Sequence, residues 1–235
     1  MSKANIIRKM KEDHFLRYGV SPAVITIAPG RVNIIGEHTD YNNGLAMPAA
    51  IDRYIFVSLS FNSKNQINAH SDKLNKELSS PLDASGGSDI WHQYILGAVK
   101  EIFINHNIKS GVDILIYSNL PMGKGVSSSA ALEVATVNGI LKLFKIEESS
   151  ENIIKICQKI DHNHIGIKSG TLDQSASQLS KDGAVLKMNF DKGSFKYIYS
   201  NFSNCSWILV DSMIKRELAS SKYHERVEEC RRALS

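Results

Sequence analysis

The stretch from Val112 to Phe144 constrains what this chain can fold into more than any other. A strand-like run rich in Ile, Leu and Val is followed by a turn rich in glycine and serine, and then by apolar residues at helical spacing. A helix that begins at such a turn directs unpaired backbone N–H groups and the positive end of its dipole toward the turn. The stretch therefore predicts a strand, a loop and a helix that together form an anion site, with phosphate as the expected anion.

The loop and the start of the helix read LPMGKGVSSSAALE at 120–133. The pattern GxxxxGK[ST] cannot be aligned with these residues, and the GxGxxG spacing fails at its third glycine. Two common nucleotide-binding motifs are therefore excluded. The alternative to a phosphate site is a simple helix cap on a tight turn.

The remaining apolar patterns predict an α+β fold. Residues from Ile6 to Leu16 have helical spacing and end at Gly19, and Asp89 is placed to cap a second helix that runs through Phe103. Further helices are expected at 130–144, 151–161 and 220–234. Strands are expected at 23–27, 45–51, 54–61 and 66–69, paired antiparallel, and again at 112–117, 183–190 and 207–210, with a loop at 79–88. Because no linker divides the pattern, we expect one main domain.

A second polar motif, PGRVNIIGEHTDYNNG, occupies residues 29–44. It places a guanidinium, two carboxylates, an imidazole and several amide or hydroxyl groups between glycines, directly after a strand. Carboxylates accept hydrogen bonds from sugar hydroxyls, Asn and His donate or accept, and glycine allows a ligand close to the backbone. The motif indicates a site for a polyhydroxylated ligand, and a polar β-turn is the alternative.

Charge and cysteine content argue against several other classes of protein. The net charge of +4 comes from scattered Lys and Arg without a dense basic run, which argues against a nucleic-acid partner. No apolar run reaches the length of a membrane span, and the N-terminus has no signal-peptide core, so we expect no membrane partner. Three cysteines without metal-binding spacing favour the reducing cytoplasm. The oligomeric state stays open.

The two motifs resemble those of galactokinases, which belong to the GHMP kinase superfamily. Residues 29–44 are similar to the GRVNxIGEHTDYN signature, and residues 120–133 to the LPxGxGxSSSAA phosphate loop. The resemblance implies phosphoryl transfer from ATP to the anomeric C1 hydroxyl of galactose, with ATP and Mg²⁺ as cofactors. By this resemblance Arg31 lies beside the reacting oxygen. The sugar hydroxyls would be bound by Glu37, His38 and Asp40, the phosphates by Gly123, Gly125, Ser127 and Ser128, and magnesium by Ser129.

A third stretch, DHNHIGIKSGTLDQ at 161–174, resembles the galactokinase segment that ends in GIMDQ. The resemblance makes Asp173 the aspartate that faces the sugar hydroxyl, Gly170 a sugar contact, and Asp161 a magnesium ligand twelve positions before Asp173. Thr171-Leu172 departs from the usual Ile-Met. Asp161 stands in place of a glutamate, so its shorter side chain would reach the metal through a bridging water.

Three smaller features leave alternatives open. Residues 210–226 resemble NSNVKHxLxxSxYNxR, which makes Tyr223 a sugar contact, and an exposed helix is the alternative. Trp91 and Tyr94 resemble aromatic residues beside the adenine, but their spacing also fits the core face of a helix. His162 and His164 could suggest zinc, yet i,i+2 spacing does not place them on one helix face, so solvated histidines are expected.

The resemblance also implies a domain organisation. Residues 1–210 would form the GHMP kinase N-terminal domain, which is similar to domain 2 of ribosomal protein S5. Residues 211–235 would begin a ferredoxin-like C-terminal domain that is largely missing, so we expect a truncated chain. Two alternative functions remain: a related sugar 1-kinase such as a galacturonokinase, whose GxLDQS string is similar to 170–175, and a non-catalytic sensor of galactose and ATP.

Overall fold

The structure is a computed structural model that describes residues 2–83, 87, 89–199, 205, 207–213 and 220–234. The α-helices in these ranges are α1 (Lys3–Tyr18), α2 (Ile90–His106), α3 (Ser128–Leu143), α4 (Ser150–Ile160), α5 (Leu172–Leu179) and α6 (Ser220–Leu234). The strands are β1 (Val24–Asn33), β2 (Leu45–Ala46), β3 (Pro48–Asn62), β4 (Gln66–Ser71), β5 (Lys76–Pro81), β6 (Gly111–Ser118), β7 (Ala184–Asn189) and β8 (Ser194–Tyr199). The predicted α+β class is confirmed.

Two sheets organise the strands. The larger has the order β1-β3-β6-β4-β5, in which β4 and β6 run parallel and the other neighbours run antiparallel. The smaller has the antiparallel order β2-β7-β8. Because β1 is an edge strand of the large sheet, its outer side is available to the loop before α3 and to α5.

The main core lies between the large sheet and helices α2, α3 and α4. It is built from aliphatic side chains such as Leu59, Ile114 and Ile140, which are fully buried. The opposite face of the sheet is covered by α1, whose Ile6 and Met10 pack on a smaller cluster around Phe56. Helices on both faces of the sheet fix the positions of β1, β6 and α3, the elements that carry the candidate site.

Helix α1 ends at Gly19, as predicted, and its start is capped by Ser2. The Ser2 side chain accepts a hydrogen bond from the N–H of Asn5, and Gly19 ends the helix in the left-handed conformation with φ of +76°. On its buried side His14 is fully enclosed, with Nδ1 2.8 Å from Ser58 Oγ and Nε2 2.9 Å from Ser60 Oγ. Burial lowers the pKa of His14 to about 4, so the imidazole is neutral at pH 7.

The sequence-predicted elements are confirmed wherever local signals were strong. Asp89 caps α2 by accepting from the N–H of His92, the strand and helix on either side of the serine-rich loop form as β6 and α3, and α6 has its predicted bounds. The boundary proposed at residue 210 stays a prediction. Among the described residues, no helix is long and apolar enough to cross a membrane.

Four expectations are wrong. Strands were predicted at 45–51 and 54–61, but the structure has a short β2 (Leu45–Ala46) and a long β3 (Pro48–Asn62). Strand β3 continues through Asp52 and Arg53, with a bulge opposite the Pro29–Arg31 part of β1. Residues 79–81 belong to β5 instead of a loop. The pairing is not all antiparallel, since β4 lies beside β6. No strand forms at 207–210, because these apolar residues are exposed and pair with none of the described strands.

Candidate active site

The loop between β6 and α3 turns sharply at several left-handed residues. Gly123 and Gly125 have φ of +67° and +72°, which glycine adopts without strain. Ser127, the last residue before α3, also has a positive φ of +54°. The N–H groups of the first turn of α3, at Ser128 and Ser129, therefore face this loop without partners within the helix. The loop and the helix start together make a site suited to an anion.

The end of β1 packs directly against this loop. The Arg31 N–H donates to the Val126 carbonyl at 3.1 Å. A Cβ on Gly30 would lie 2.3 Å from Leu120 Cδ2 and 2.7 Å from the Val126 oxygen. Only glycine at position 30 allows this close approach, and the approach places Arg31 at the edge of the anion site.

Arg31 links the loop to α5. Its Nε donates to Asp173 Oδ1 at 2.8 Å, its Nη2 lies 2.5 Å from the same oxygen, and its Nη1 donates to the Gly125 carbonyl at 2.7 Å. The Arg31 side chain is 13% exposed and that of Asp173 is 37% exposed. A fixed cation and a partly accessible carboxylate therefore meet beside the loop.

Asp173 is held in place from two further directions. Ser127 Oγ donates to Asp173 Oδ2 at 2.5 Å, so each carboxylate oxygen has its own donor. Four residues further along α5, Ser177 Oγ donates to the Pro29 carbonyl at 2.8 Å, which ties the helix to β1. The register of α5 on β1 is thus set by Ser177 and by the Arg31 ion pair.

The polar motif at 29–44 reaches the same region through Asp40. Asp40 begins a short 3-10 helix (Asp40–Asn42), and its Oδ2 lies 3.4 Å from the N–H of Leu172. A Cβ on Gly170 would lie 1.9 Å from that oxygen, so Gly170 leaves the space that Asp40 occupies. Burial raises the pKa of Asp40 against the opposing effect of the Leu172 N–H, and the nearby charge of Asp173 adds to the rise.

Glu37 and His38 lie on the exposed part of the same motif. His38 has a positive φ of +60°, and its Nδ1 lies 2.6 Å from the hydroxyl of Tyr41. Tyr41 also contacts Cys230 on α6, and burial raises its pKa to about 12. Helix α6 therefore lies beside this motif. Tyr223 is on α6, but its side chain lies outside the described part of the structure.

A second acidic cluster lies behind the ion pair. Asp161 and Glu133 are 7% and 1% exposed, and Gln174 Nε2 donates to Asp161 Oδ2 at 2.8 Å and to Glu133 Oε2 at 3.2 Å. Ser169 Oγ also donates to Asp161 Oδ2, at 2.7 Å. Burial raises the pKa of Asp161, and burial together with the Asp161 charge raises that of Glu133 well above its usual value.

The Glu133 carboxyl has one oxygen, Oε1, without a partner among the described residues. The carboxyls of Asp161 and Glu133 and the nearby hydroxyl of Ser129 therefore form a compact group of oxygen atoms beside the anion loop.

Trp91 and Tyr94 are core residues, 7% and 5% exposed. The Tyr94 hydroxyl lies 3.4 Å from Asp161 Oδ1 and also bonds to Ser129. The packing alternative therefore describes both side chains in this structure, and Tyr94 in addition contacts the acidic cluster. The proposed adenine contact stays a prediction.

The two histidines near Asp161 have separate partners. His162 Nε2 lies 3.0 Å from the Ser169 carbonyl, and His164 Nε2 lies 3.0 Å from Glu101 Oε1. Both belong to a single turn of π-helix, Asp161–Ile165, that extends α4. In the described ranges, no three His, Cys, Asp or Glu side chains are grouped as metal ligands.

Several residues of the site were missed by the sequence patterns. Glu133 and Gln174 are the last residues of the motifs at 120–133 and 161–174 and were given no role there; a Glu in an otherwise apolar stretch of helix was the available signal for a buried acidic group. Lys124 of the loop forms an ion pair with Asp211 at 2.7 Å, which brings residue 211 beside the anion site. Nothing local in the sequence indicates that pair.

The arrangement brings two kinds of binding group to one place. On one side lies a loop and helix start suited to phosphate, and on the other lie Asp40 and the segment from Gly170. Arg31 and Asp173 lie between them. This geometry can hold a phosphate donor and a hydroxylated acceptor next to a fixed cation and a carboxylate.

Comparisons with known proteins find two matching family models and several similar galactokinases. The model of the galactokinase galactose-binding signature matches residues 12–61, and the model of the GHMP kinase N-terminal domain matches residues 93–181. The chain is 39% identical over 207 residues to the galactokinase of Thermosipho africanus, covering 88% of this chain and 58% of that protein. It is 31% identical over 231 residues to the galactokinase of Clostridium perfringens, covering 95% of this chain and 59% of that protein.

Two solved structures match this chain over most of its length. The galactokinase of Lactococcus lactis, crystallised with galactose, matches with a TM-score of 0.81 and 26% identity over 97% of this chain and 61% of that one. The mevalonate kinase of Methanococcus jannaschii matches with a TM-score of 0.69 and 21% identity over 90% of this chain and 71% of that one, which shows a shared fold. The chain thus spans about 60% of the length of the galactokinases it matches.

Proposed function

Because this chain belongs to the galactokinase family of the GHMP kinase superfamily, we propose that it forms the sugar and phosphate sites of an ATP-dependent galactose kinase. The reaction moves the γ-phosphoryl group of ATP to the C1 hydroxyl of galactose and yields galactose 1-phosphate and ADP. The observation that carries the proposal is the ion pair between Arg31 and Asp173, which lies between the anion loop and the Asp40 segment.

We assign the sugar hydroxyls to Glu37, His38, Asp40 and Gly170, with Tyr223 as a further contact from α6. Asp40 supports this assignment best, because its carboxyl oxygen is directed at the start of α5, one residue before Asp173. Glu37 and His38 are exposed and therefore accessible to a ligand. The C1 hydroxyl would lie beside Asp173, whose side chain remains partly exposed.

The phosphates of ATP are assigned to the loop and the start of α3. The left-handed turns at Gly123 and Gly125 lead into the first turn of α3, whose N–H groups have no partner within the helix, and Ser128 adds a hydroxyl. Trp91 and Tyr94 are both buried, so an adenine contact would need one of them to move.

The acidic cluster is proposed to bind Mg²⁺ with the phosphates. Mg²⁺ prefers oxygen ligands, and usually takes one or two carboxylates together with waters and substrate phosphates. Asp161, Glu133 and the Ser129 hydroxyl offer that donor set, and the unpartnered Glu133 Oε1 marks a buried oxygen without a donor. These residues fit the ion. When bound, Mg²⁺ would neutralise charge on the phosphate groups.

The side chains of this chain would act mainly by position and charge. Asp173 accepts the proton of the C1 hydroxyl as that oxygen bonds to the γ-phosphorus, and the bond from the γ-phosphorus to the bridging oxygen breaks to release ADP. Arg31 is bonded to Asp173 and to the loop at once, so its charge stabilises the negative charge that develops between the two sites.

Two other functions remain as alternatives. A uronate substrate would need an added cation, and Lys168, exposed two residues before Gly170, could supply it. A non-catalytic sensor would bind galactose and ATP without turnover. The intact set of Arg31, Asp173 and the serine-rich loop favours a catalyst.

The state of the cysteines bears on the cellular compartment. The three cysteines are free thiols, with Cys157 buried, Cys205 exposed and Cys230 half-buried. We propose a cytoplasmic protein of galactose metabolism whose partners are a sugar and ATP, with no nucleic acid or membrane involved.

The test is a turnover assay on the whole 235-residue chain with galactose, galacturonate or glucose and Mg·ATP, followed by ³¹P NMR. Galactose 1-phosphate, formed by the wild type and absent with Asp173→Asn, supports the proposal. Preference for galacturonate supports the related kinase. Galactose binding by calorimetry without any sugar phosphate, in a chain known to be full length, supports the sensor, and the absence of both contradicts a galactose site.

A further inference from the structure

Ser127 has a bonding partner that its place in the phosphate loop does not suggest. Its Oγ donates to Asp173 Oδ2 at 2.5 Å, although 46 residues separate the two in the sequence. The hydroxyl is therefore directed at the carboxylate of the sugar side instead of the anion side. The other oxygen of Asp173 receives two N–H groups of Arg31.

The backbone of Ser127 explains this direction. Ser2 and Ser149, the serines before α1 and α4, are extended with φ of −68° and −70°, and their hydroxyls accept from Asn5 N and Asn152 N of the helix they precede. Ser127 stands at the same position before α3, but its φ of +54° and ψ of +51° are left-handed, and its side chain makes no cap. The left-handed turn directs the hydroxyl away from α3 and toward α5.

Such a backbone is unfavourable for serine. A residue with a Cβ is strained in the left-handed conformation, and strain of this kind is found where the surrounding structure fixes a side chain for a function. Glycine would adopt the same turn freely, as Gly123 and Gly125 do in the same loop. A serine at position 127 is therefore explained by its hydroxyl and not by the turn.

The hydroxyl can serve only one acceptor at a time. A serine carries a single O–H proton, and phosphate oxygens need a donor just as a carboxylate does. While Ser127 donates to Asp173 it offers no proton to a nucleotide. Backbone N–H groups and Ser128 remain available on the anion side.

We propose that Ser127 is a positioning residue for Asp173 and not a ligand of the nucleotide. This inference rests on the proposed function, in which Asp173 faces the C1 hydroxyl. Ser127 and Arg31 each hold one oxygen of Asp173, fixing the plane of its carboxylate while its exposed edge stays open to the sugar. The phosphate loop thereby shapes the sugar site.

The experiment compares three variants of the whole chain: Ser127→Ala, Ser127→Gly and Ser128→Ala. Both Ser127 variants lose the hydroxyl, and the glycine also removes the left-handed strain, so it is expected to melt at or above the wild-type temperature. Ser128→Ala is the matched control from the same loop. Dissociation constants for galactose and for Mg·ADP are measured by calorimetry.

The inference predicts that both Ser127 variants weaken galactose binding by about fivefold or more and leave Mg·ADP binding within twofold, a loss in the range expected for a hydrogen bond to a charged group. Ser128→Ala should show the opposite pattern. A second readout is the ¹³C NMR chemical shift of the Asp173 carboxyl at a fixed pH, which loss of the Ser127 donor should change.

Two results would overturn the inference, and a third would contradict the proposed function. It is overturned if the Ser127 variants weaken Mg·ADP binding as strongly as Ser128→Ala does while galactose binding is unchanged, or if the ¹³C shift of the Asp173 carboxyl is the same in the wild type and in all variants. A wild-type chain that binds no galactose contradicts the proposed function itself, and that failure is visible before any variant is compared.

Discussion

Arg31 and Asp173 meet in an ion pair at 2.5 Å although 142 residues separate them in the sequence. Arg31 comes from the end of the edge strand β1, and Asp173 from the first turn of α5. The same guanidinium bonds the Gly125 carbonyl of the loop before α3. Strand, loop and helix are therefore joined at one side chain, and the proposed sugar and phosphate sites share that junction.

The coupling between these two residues can be measured directly. A double-mutant cycle with Arg31→Ala, Asp173→Ala and the double variant should give a coupling of about 1–2 kcal/mol in the free energy of unfolding, since a charge-assisted, partly buried pair is stronger than an exposed one. Urea denaturation supplies the free energies. Additive single effects would show that the ion pair does not form in solution.

Gly170 is predicted to preserve the sugar site because it has no side chain that would displace Asp40. In Gly170→Ala the new Cβ would lie 1.9 Å from Asp40 Oδ2, so Asp40 must move, and we expect at least a tenfold loss of galactose affinity with Mg·ADP affinity unchanged. Gly193→Ala is the control for a glycine replacement that causes no steric clash. Gly193 has a positive φ, and no atom lies within 4 Å of an added Cβ. Equal galactose affinity in Gly170→Ala and the wild type would contradict the role of Asp40.

Gln174 is predicted to stabilise the acidic cluster by donating to two carboxyls. Gln174→Glu replaces that donor with a third buried carboxyl, which should lower the free energy of unfolding by about 2–4 kcal/mol at pH 7. Gln178→Glu is the matched control one turn along α5, where Oε1 already accepts from Asn138 Nδ2, and should lose less than about 1 kcal/mol. Urea denaturation of both variants tests this, and equal losses would argue against the cluster.

His14 is predicted to make the fold sensitive to acid. Its pKa is about 4 in the folded chain and about 6.5 when unfolded, so its contribution is complete above pH 6.5 and is lost as the pH falls toward 4. The full effect is about 3 kcal/mol. His14→Gln removes the titrating group, so the stability gap between wild type and variant, from urea denaturation at pH 4 to 7.5, should narrow on acidification. Parallel curves would show that His14 titrates normally.

Local signals in the sequence predicted several of the elements that position the site, but not α5, which carries Asp173. The run from β6 through the serine-rich loop to α3, the Gly19 stop of α1 and the Asp89 cap of α2 each depend on neighbouring residues only. Pairing between distant segments could not be predicted in this way. The parallel contact of β4 with β6 and the edge strand β5, which is polar and half-exposed, are set by the tertiary structure.

Within the site, too, local motifs could be predicted from the sequence, whereas contacts between distant residues could not. Arg31, Asp40 and Asp173 were named from motifs, and the structure brings them together; their roles stay predictions. The bond from Ser127 to Asp173 depends on a left-handed backbone that no pattern of residue types reveals. The apolar neighbours of Glu133 in α3 were a signal for its burial, whereas the burial of Gln174 depends on where α5 packs, which is invisible in the sequence alone.

The central claim is that galactose and nucleotide bind on opposite sides of one Arg31–Asp173 junction. Amide and guanidinium NMR of the whole chain tests it by mapping which signals shift on addition of galactose or Mg·ADP. We expect galactose to shift amides at 37–40 and near Gly170, Mg·ADP to shift those at 123–129, and each ligand to shift Arg31 Nε–H. Galactose shifts confined to another surface, or an Arg31 signal that responds to neither ligand, would contradict the account.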